Sequence, residues 1–439
     1  METINKKIFL AYDIRGRHPK EINGDVLWRL GYNLPMILQQ EKILPNRKLK
    51  IIVGRDSRPS GAILIKNLIQ GLLQNDIELV DAGVITSPML YFLIKTHHFD
   101  LGFIITGSHL SESYTGLKIY TRELDALSGN WLVKFLDIFN RPVTVGLTKG
   151  KLIRKNFINE YVQFLLQKSK IRQFKKTLSL KNILICCPKS SQLILEKIKK
   201  ELKFNLQFVH RPIPKRLIAQ RKCDCVIQFD SDADRMQVFN SKGEQISGDI
   251  IGAFFVELMK NKMPKKIIVD CRSGRFLINL SRRYHFKIIY SPAGHGFFKQ
   301  AMKKNGALLG IEKSGHYYWK DFFFADSGIY SFLMLLQFLA GKKDKIDDIA
   351  RQFFQGVISP EINFKIKNQR QINKIFQKIE RMFNKNKINK IDGLTVFDKN
   401  FKFNLRASHT EPNILRLNVE AINEKVFQEI LSKIKQLVK

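Results

Sequence analysis

The sequence is poor in the features that assign a protein quickly. Its five cysteines form no paired metal-ligand spacing: Cys186 and Cys187 are adjacent, Cys223 and Cys225 lie one residue apart, and Cys271 stands alone. That excludes a zinc-ribbon or zinc-finger framework. An odd number of thiols in a chain of 439 residues also speaks against a disulfide scaffold and predicts a reducing compartment. No run is apolar for long enough to span a bilayer. The opening METINKKIFLAYDIRG lacks the apolar core of a signal peptide, so a cytoplasmic protein without a membrane partner is expected. Acidic residues are scarce, 39 against 75 lysines and arginines, for a formal net charge of +36. Such a balance suggests a polyanion partner. Here, however, lysine is spread through every segment, and Ile, Asn and Phe abound beside three tryptophans. That pattern is coding bias toward A/T-rich codons rather than a basic face, and no nucleic-acid partner is expected.

What remains is ordinary globular usage, 44% hydrophobic and 26% charged residues, with room for about three domains. One order of elements recurs three times. The first unit reads as a strand from Leu49 to Val53, a helix with apolar Ile65, Leu68, Ile69, Leu72 and Leu73, a strand from Ile77 to Val80, a helix from about Pro88 to Lys95, and a strand from Leu101 to Ile105 that opens into TGSH. The second reads Ile183 to Cys186, a helix near Leu193 to Leu202, Leu206 to Val209, and Cys225 to Phe229, opening into DSDADR. The third reads Lys266 to Asp270, a helix near Phe276 to Tyr284, Lys287 to Tyr290, a helix starting near His295, and Ala307 to Ile311, opening into EKSGH. The last segment differs: a strand EINFKI, a helix near Ile372 to Phe383, a hairpin-like stretch and a terminal helix from Lys425. The expected fold class is α/β, with three similar mixed α/β domains and a smaller C-terminal α+β domain around a central cleft. Ligands of such sheets bind beyond the carboxyl ends of the strands, which is where the three polar motifs fall.

Each motif carries its own chemistry. DSDADR sets Asp230, Asp232 and Asp234 at alternate positions. Carboxylates so crowded repel one another unless a hard cation is bound, and an all-oxygen donor set points to Mg2+. RASHTEP joins Arg406 to the hydroxyls of Ser408 and Thr410, a combination that suits phosphate, although a basic hairpin turn has the same composition. EKSGH offers Glu312, Ser314 and His316 to sugar hydroxyls, and Ser-Gly is also a common turn pair. Ser108 in IITGSHL is, on its residues alone, either a turn serine or a nucleophile.

The ordered set AYDIRG, GRDSR, TGSH with YTGLKI, DSDADR, GHGFFK, GIEKSGH, DSGI and NLRASHTEP resembles the α-D-phosphohexomutase family, from about residue 9 to 420. The runs EKSGHYYWKDFFFADSGI, SPEINFKI and FNLRASHTEPNILRLNVEA look most like those of bacterial phosphomannomutases feeding GDP-mannose synthesis. The resemblance implies four domains: residues 1–145 with the phosphoserine, 146–248 binding metal, 249–352 binding sugar and 353–439 binding phosphate. It implies interconversion of mannose 1-phosphate and mannose 6-phosphate, with glucose phosphates left open as a second pair. Ser108 would carry the transferred phosphoryl group through a hexose 1,6-bisphosphate, which also serves as activator. A phosphoglucosamine mutase and a degenerate, non-catalytic phosphosugar-binding protein are the alternatives.

By the same resemblance Mg2+ would sit on Asp230, Asp232, Asp234 and the phosphorylated Ser108. Lys118 would transfer protons if neighbouring cations depress its pKa, aided by Arg15 and His109. Arg15 and Arg235 would steady phosphoryl charge. Tyr12, His295, Lys299, Glu312, Ser314 and His316 would hold the sugar phosphate, and Arg406, Ser408 and Thr410 the phosphate that is not reacting. The expected state is a monomer or dimer whose partners are small hexose phosphates. The chain departs from the family pattern at Gly107, Leu110 and Ser111 beside the serine, at Ser231 and Ala233 in the acidic loop, at Ala407 and His409 in the phosphate loop, and at CCPKSS.

Overall fold

The computed structural model describes residues 3–438 apart from 11–12, 144–148, 178–181, 204, 211, 213 and 409–412. Among the described residues the strands form four sheets, and the chain divides into two compact units, residues 1–244 with 321–342, and residues 245–320 with 343–439.

The threefold order seen in the sequence becomes one repeated sheet pattern. In unit one, Leu49–Arg55 runs parallel between Ile77–Val84 and Leu101–Ile105, and Tyr114–Thr121 returns antiparallel beside Leu101–Ile105. Ile183–Cys186 runs parallel between Leu206–Val209 and Cys225–Phe229, with Met236–Asn240 antiparallel beside the last. In unit two, Lys266–Asp270 runs parallel between Lys287–Ser291 and Leu309–Ile311, with Tyr317–Trp319 antiparallel. Every motif loop is therefore the connection by which a parallel strand turns back on itself. There the strand order has just reversed, which opens a crevice at the carboxyl edge of the sheet.

Local chemistry explains these elements. Leu101–Ile105 is buried at every position, as expected of a strand covered on both faces. The helix Ser87–His97 starts where Thr86 Oγ1 accepts from Met89 N and Pro88 presets the first turn. It ends at His98 in the left-handed region. Two additions lay outside the sequence pattern. Lys151–Arg154 pairs in parallel with Ile77–Val84, so the first sheet runs past residue 145. Helix Gly328–Leu339, buried on nearly all sides, belongs to unit one, where Gly328 N donates to Ala233 O at 2.9 Å. A helix apolar all round needs cover on every face.

The C-terminal sheet is antiparallel, with Phe401–Ala407 between Leu394–Phe397 and Ile414–Ala421. Helices Gln369–Met382 and Glu424–Val438 share its core through Ile372, Ile375, Ile379, Phe427, Ile430 and Ile434 against Leu405 and Leu417.

Candidate active site

In unit one, Ser108 follows the end of Leu101–Ile105 at φ +50°, a left-handed conformation that a serine adopts only when held. It is 3% exposed, and its N–H donates to Thr106 Oγ1 at 2.9 Å. The next strand points its side chains back to this loop: Lys118, paired in register with Ile104, donates to Asp232 Oδ2 at 2.6 Å and Asp234 Oδ2 at 2.8 Å. His109 Nδ1 lies 3.4 Å from Ser108 Oγ and accepts from Arg235 Nη2 at 3.1 Å. Loss of hydration, followed by the charges of Arg235 and Arg15, pushes the His109 pKa down to about 3. The ring edge is exposed, which weakens the first cause; the two arginines still dictate the direction, and the imidazole is uncharged at neutral pH. Arg15, on the edge strand Ile14–Arg17, pairs with Asp13.

The acidic loop gathers Asp230, Asp232 and Asp234, with one carboxylate oxygen of each within 4.8 Å of the others. Asp230 Oδ2 and Asp232 Oδ1 are buried without a hydrogen-bond donor. Burial, and then its two sister carboxylates, raise the Asp230 pKa well above the usual range. Concentrated negative charge with bare oxygens fits a hard divalent cation such as Mg2+. The carboxylates also invert one expectation: desolvation would lower the Lys118 pKa, but Asp232 and Asp234 overcome it and raise the pKa well above normal. Asp232 is fixed further by Ser87, whose Oγ donates to Oδ2 at 2.6 Å and whose N–H donates to the Asp232 carbonyl at 3.0 Å.

In unit two the EKSGH loop closes by Glu312 N to His316 O at 3.0 Å, with Gly315 at φ +92°. Ser314 Oγ and His316 Nδ1 are 3.0 Å apart, and Glu312 Oε2 accepts from Tyr318 at 3.2 Å. Arg272 Nη2 donates to Asp270 Oδ2 at 2.7 Å and Glu312 Oε1 at 3.3 Å. Arg406, on Phe401–Ala407, is 5% exposed. It lies 3.7 Å from Glu361 and 4.0 Å from Asp392. Burial and then Arg272 lower its pKa, against Asp392, Glu361 and Asp270, which raise it. Ser408 N donates to Ile414 O at 2.8 Å, just before the described chain breaks off. His295 and Lys299 lie one turn apart on helix His295–Asn305, Lys299 buried. Tyr12 and Thr410 lie outside the described residues.

The structure thus brings Ser108, His109, Arg235, Lys118 and the three aspartates together, and Glu312, Ser314 and His316 together. Sequence reasoning missed Ser87, Arg58, Asp56, Arg272 and Glu361. Arg272 had a usable signal, since it follows the end of Lys266–Asp270 as the other motifs follow their strands. Asp56 and Arg58 had the same signal, in GRDSR after Leu49–Arg55, while Ser87 and Glu361 join their sites through tertiary contacts.

Comparison with known proteins identifies the family and the fold. The phosphoglucomutase/phosphomannomutase alpha/beta/alpha domain I model matches residues 6–127, and the domain III model residues 247–357. A phosphomannomutase of Methanocaldococcus jannaschii is 30% identical over 98% of this chain and 97% of its own length. A phosphoglucomutase of Neisseria gonorrhoeae is 29% identical over 100% of this chain and 98% of its own. A solved phosphoglucomutase/phosphomannomutase family protein from Burkholderia thailandensis shares the fold with a TM-score of 0.84 at 23% identity, covering 100% of this chain and 98% of that one.

Proposed function

The chain belongs to the phosphoglucomutase/phosphomannomutase family, and from that premise we propose that it interconverts mannose 1-phosphate and mannose 6-phosphate, with glucose phosphates as a second pair, through a phosphoserine at Ser108. The observation that carries the reading is the convergence, inside one compact unit, of a serine held at φ +50° with a loop of three carboxylates.

Transfer breaks the bond between Ser108 Oγ and phosphorus and forms one between phosphorus and the free sugar hydroxyl, whose proton leaves. The resulting hexose 1,6-bisphosphate turns end for end and returns its other phosphoryl group to Ser108. Asp230, Asp232 and Asp234 would hold Mg2+. When bound, Mg2+ supplies positive charge to the moving oxygens and weakens Lys118's hold on its proton. Lys118, buried on the strand that follows Ser108, would accept the hydroxyl proton only as a neutral amine, once a cation on Asp232 and Asp234 has caused it to release its own. Arg235 and Arg15 add positive charge around His109 and Ser108. Glu312, Ser314 and His316 would grip sugar hydroxyls, and Arg406 with Ser408 the phosphate at the far end. That distant contact organises the transition state without touching the reacting atoms. The division into a phosphoserine, a metal, a sugar and a phosphate part is included in the proposal, with Lys151–Arg154 completing the first part.

The test is a coupled assay on mannose 1-phosphate and glucose 1-phosphate with Mg2+ and a trace of hexose 1,6-bisphosphate, read beside intact mass. Turnover together with one added phosphoryl group, lost in Ser108→Ala, is expected. A wild-type protein that binds hexose phosphates without turnover would instead be the non-catalytic binder.

A further inference from the structure

Arg58 takes no part in the chemistry described so far, yet it is 6% exposed and lies under the serine loop. Its Nη2 donates to Ser108 O at 2.7 Å and Leu110 O at 2.6 Å, and its Nη1 to Ser111 O at 2.5 Å and Tyr114 O at 3.0 Å. Four carbonyls spanning the loop thus converge on one planar cation. The same Nη2 reaches Ser231 Oγ at 2.8 Å, so a single guanidinium ties the serine loop to the acidic loop.

The other face of Arg58 closes a ring. Its Nε donates to Asp56 Oδ2 at 3.1 Å, and Asp56 Oδ2 also accepts from Thr106 Oγ1 at 2.7 Å. Thr106 Oγ1 in turn accepts the Ser108 N–H. The N–H and C=O of Ser108 are therefore fixed from opposite sides by one continuous network, and that is what maintains its left-handed backbone. Charge-assisted bonds to a rigid fork are the kind that hold a geometry.

Two departures from the family pattern lie against this guanidinium. A Cβ at position 107 would lie 2.5 Å from Arg58 Cζ and 2.6 Å from the Tyr114 carbonyl, so a side chain there must displace the guanidinium or the backbone. Ser231 replaces a usual glycine and supplies the acceptor that a glycine lacks. We propose that Arg58 is a positioning residue for phosphoryl transfer, aiming Ser108 at the acidic loop, and that Gly107 and Ser231 are matched to it. The proposal rests on the phosphomutase reading for its readout only.

The experiment follows Ser108 phosphorylation by added glucose 1,6-bisphosphate with intact mass, alongside steady-state assay and melting temperature. Wild type, Arg58→Lys, Gly107→Ala and the double variant are compared. Arg58→Lys should lower kcat about 100-fold, as an ångström-scale misplacement does, with KM within about threefold because no ligand contact is lost. Gly107→Ala should lower kcat by about 10- to 100-fold for the same reason. In the Arg58→Lys background it should add clearly less than it does alone, since the guanidinium it strikes is gone and only the Tyr114 carbonyl remains in its way. Arg58→Lys with wild-type kcat, or losses that multiply independently, would overturn the proposal. Should Arg58→Lys fail to fold, Ser231→Gly serves, with a kcat loss of about tenfold expected for one lost bond to a charged group and an unchanged kcat counting against the proposal. Absence of phosphoryl-Ser108 in wild type would overturn the phosphomutase reading instead, which keeps the two failures apart.

Discussion

Lys118 in unit one and Lys402 in unit two are both buried, each on a strand, and each donates to two oxygens. For Lys118 the oxygens belong to the carboxylates of Asp232 and Asp234. For Lys402 they are the carbonyls of Cys271, at 2.9 Å, and Ser273. The consequences are opposite. The paired carboxylates raise Lys118 well above its ordinary pKa, whereas desolvation wins at Lys402 and lowers it to about 8 despite Asp249, Glu420 and Asp270 nearby. A cage with surplus negative charge and bare oxygens is built to receive cations. A cage of carbonyls is built to tie loops to a sheet. Burial alone does not set the charge of a lysine; the charge of its partners does.

The largest effect expected is at the carboxylates. Asp232→Asn removes one full charge from the cation cage while keeping an oxygen for Ser87, so kcat should fall by about 100- to 1,000-fold, as when an electrostatic group aimed at the transition state is lost. The melting temperature should shift by only a few degrees. Turnover within a few-fold of wild type would show that the acidic loop binds no catalytic cation, and the contrast with the carbonyl cage would collapse.

Arg406 lies four residues beyond Lys402 on the same strand, and under the proposed function it would hold the phosphate of the ligand. Arg406→Ala removes a two-pronged, charge-assisted contact worth about 2–3 kcal/mol. That corresponds to a loss in kcat/KM of roughly 30- to 150-fold. Arg406→Lys should recover only part of it, because the ammonium lacks the planar fork. A wild-type value for Arg406→Ala would reduce the loop to a hairpin turn.

Lys402→Met should behave in the reverse manner, with kcat within about threefold but stability lower by about 2–3 kcal/mol as two carbonyls lose their donor. The pH dependence follows from the sign of the shift. Below about pH 8 the folded protein bears the burden of a buried ammonium. As pH rises from 8 toward the unfolded value of 10.5, the folded state sheds the proton before the unfolded one does, and this group's contribution to stability increases. A neutral amine still has two N–H groups for two carbonyls. The stability gap between wild type and Lys402→Met should therefore widen by about 1–3 kcal/mol over that window. A flat gap in denaturation curves at pH 7.5 and 10 would mean that Lys402 is not held as its surroundings imply.

This pair also shows how far the sequence could be read. The strands Leu101–Ile105, Ile183–Cys186, Cys225–Phe229 and Lys266–Asp270 stand where the apolar runs put them, because a short run buried on both faces has few ways to fold. The acidic loop was legible because its three carboxylates are local in the chain. Lys118 was legible only as a motif position, and its raised pKa was not, since Ile104 must pair with Lys118 before the ammonium meets Asp232. Arg58 was legible only as the end of the GRDSR motif, and Ser87, which meets Asp232 across more than forty residues, carries no local pattern. Helix Gly328–Leu339 was not read from the sequence, and its place in unit one depends on contacts far along the chain, such as Gly328 N on the Ala233 carbonyl.

The smallest effect separates the two cages by backbone. Ala233, between Asp232 and Asp234, has φ +55°, while neither Cys271 nor Ser273 has a positive φ. A left-handed alanine is disfavoured by about 1–2 kcal/mol, so the acidic loop is kept in shape by its contacts: Gly328 N on the Ala233 carbonyl, Lys118 on both aspartates and Ser87 on Asp232. Glycine at 233 relieves that strain, though it also gives the unfolded chain more freedom and removes a buried methyl. The informative quantity is a difference. Ala301→Gly, inside helix His295–Asn305, should lower stability by about 1 kcal/mol from helix propensity alone. Ala233→Gly should be better tolerated by about 1–2 kcal/mol, giving a stability close to wild type in denaturant unfolding. Equal losses at the two positions would mean that the loop adopts this conformation without strain, and that the contacts of the acidic cage are not what imposes it.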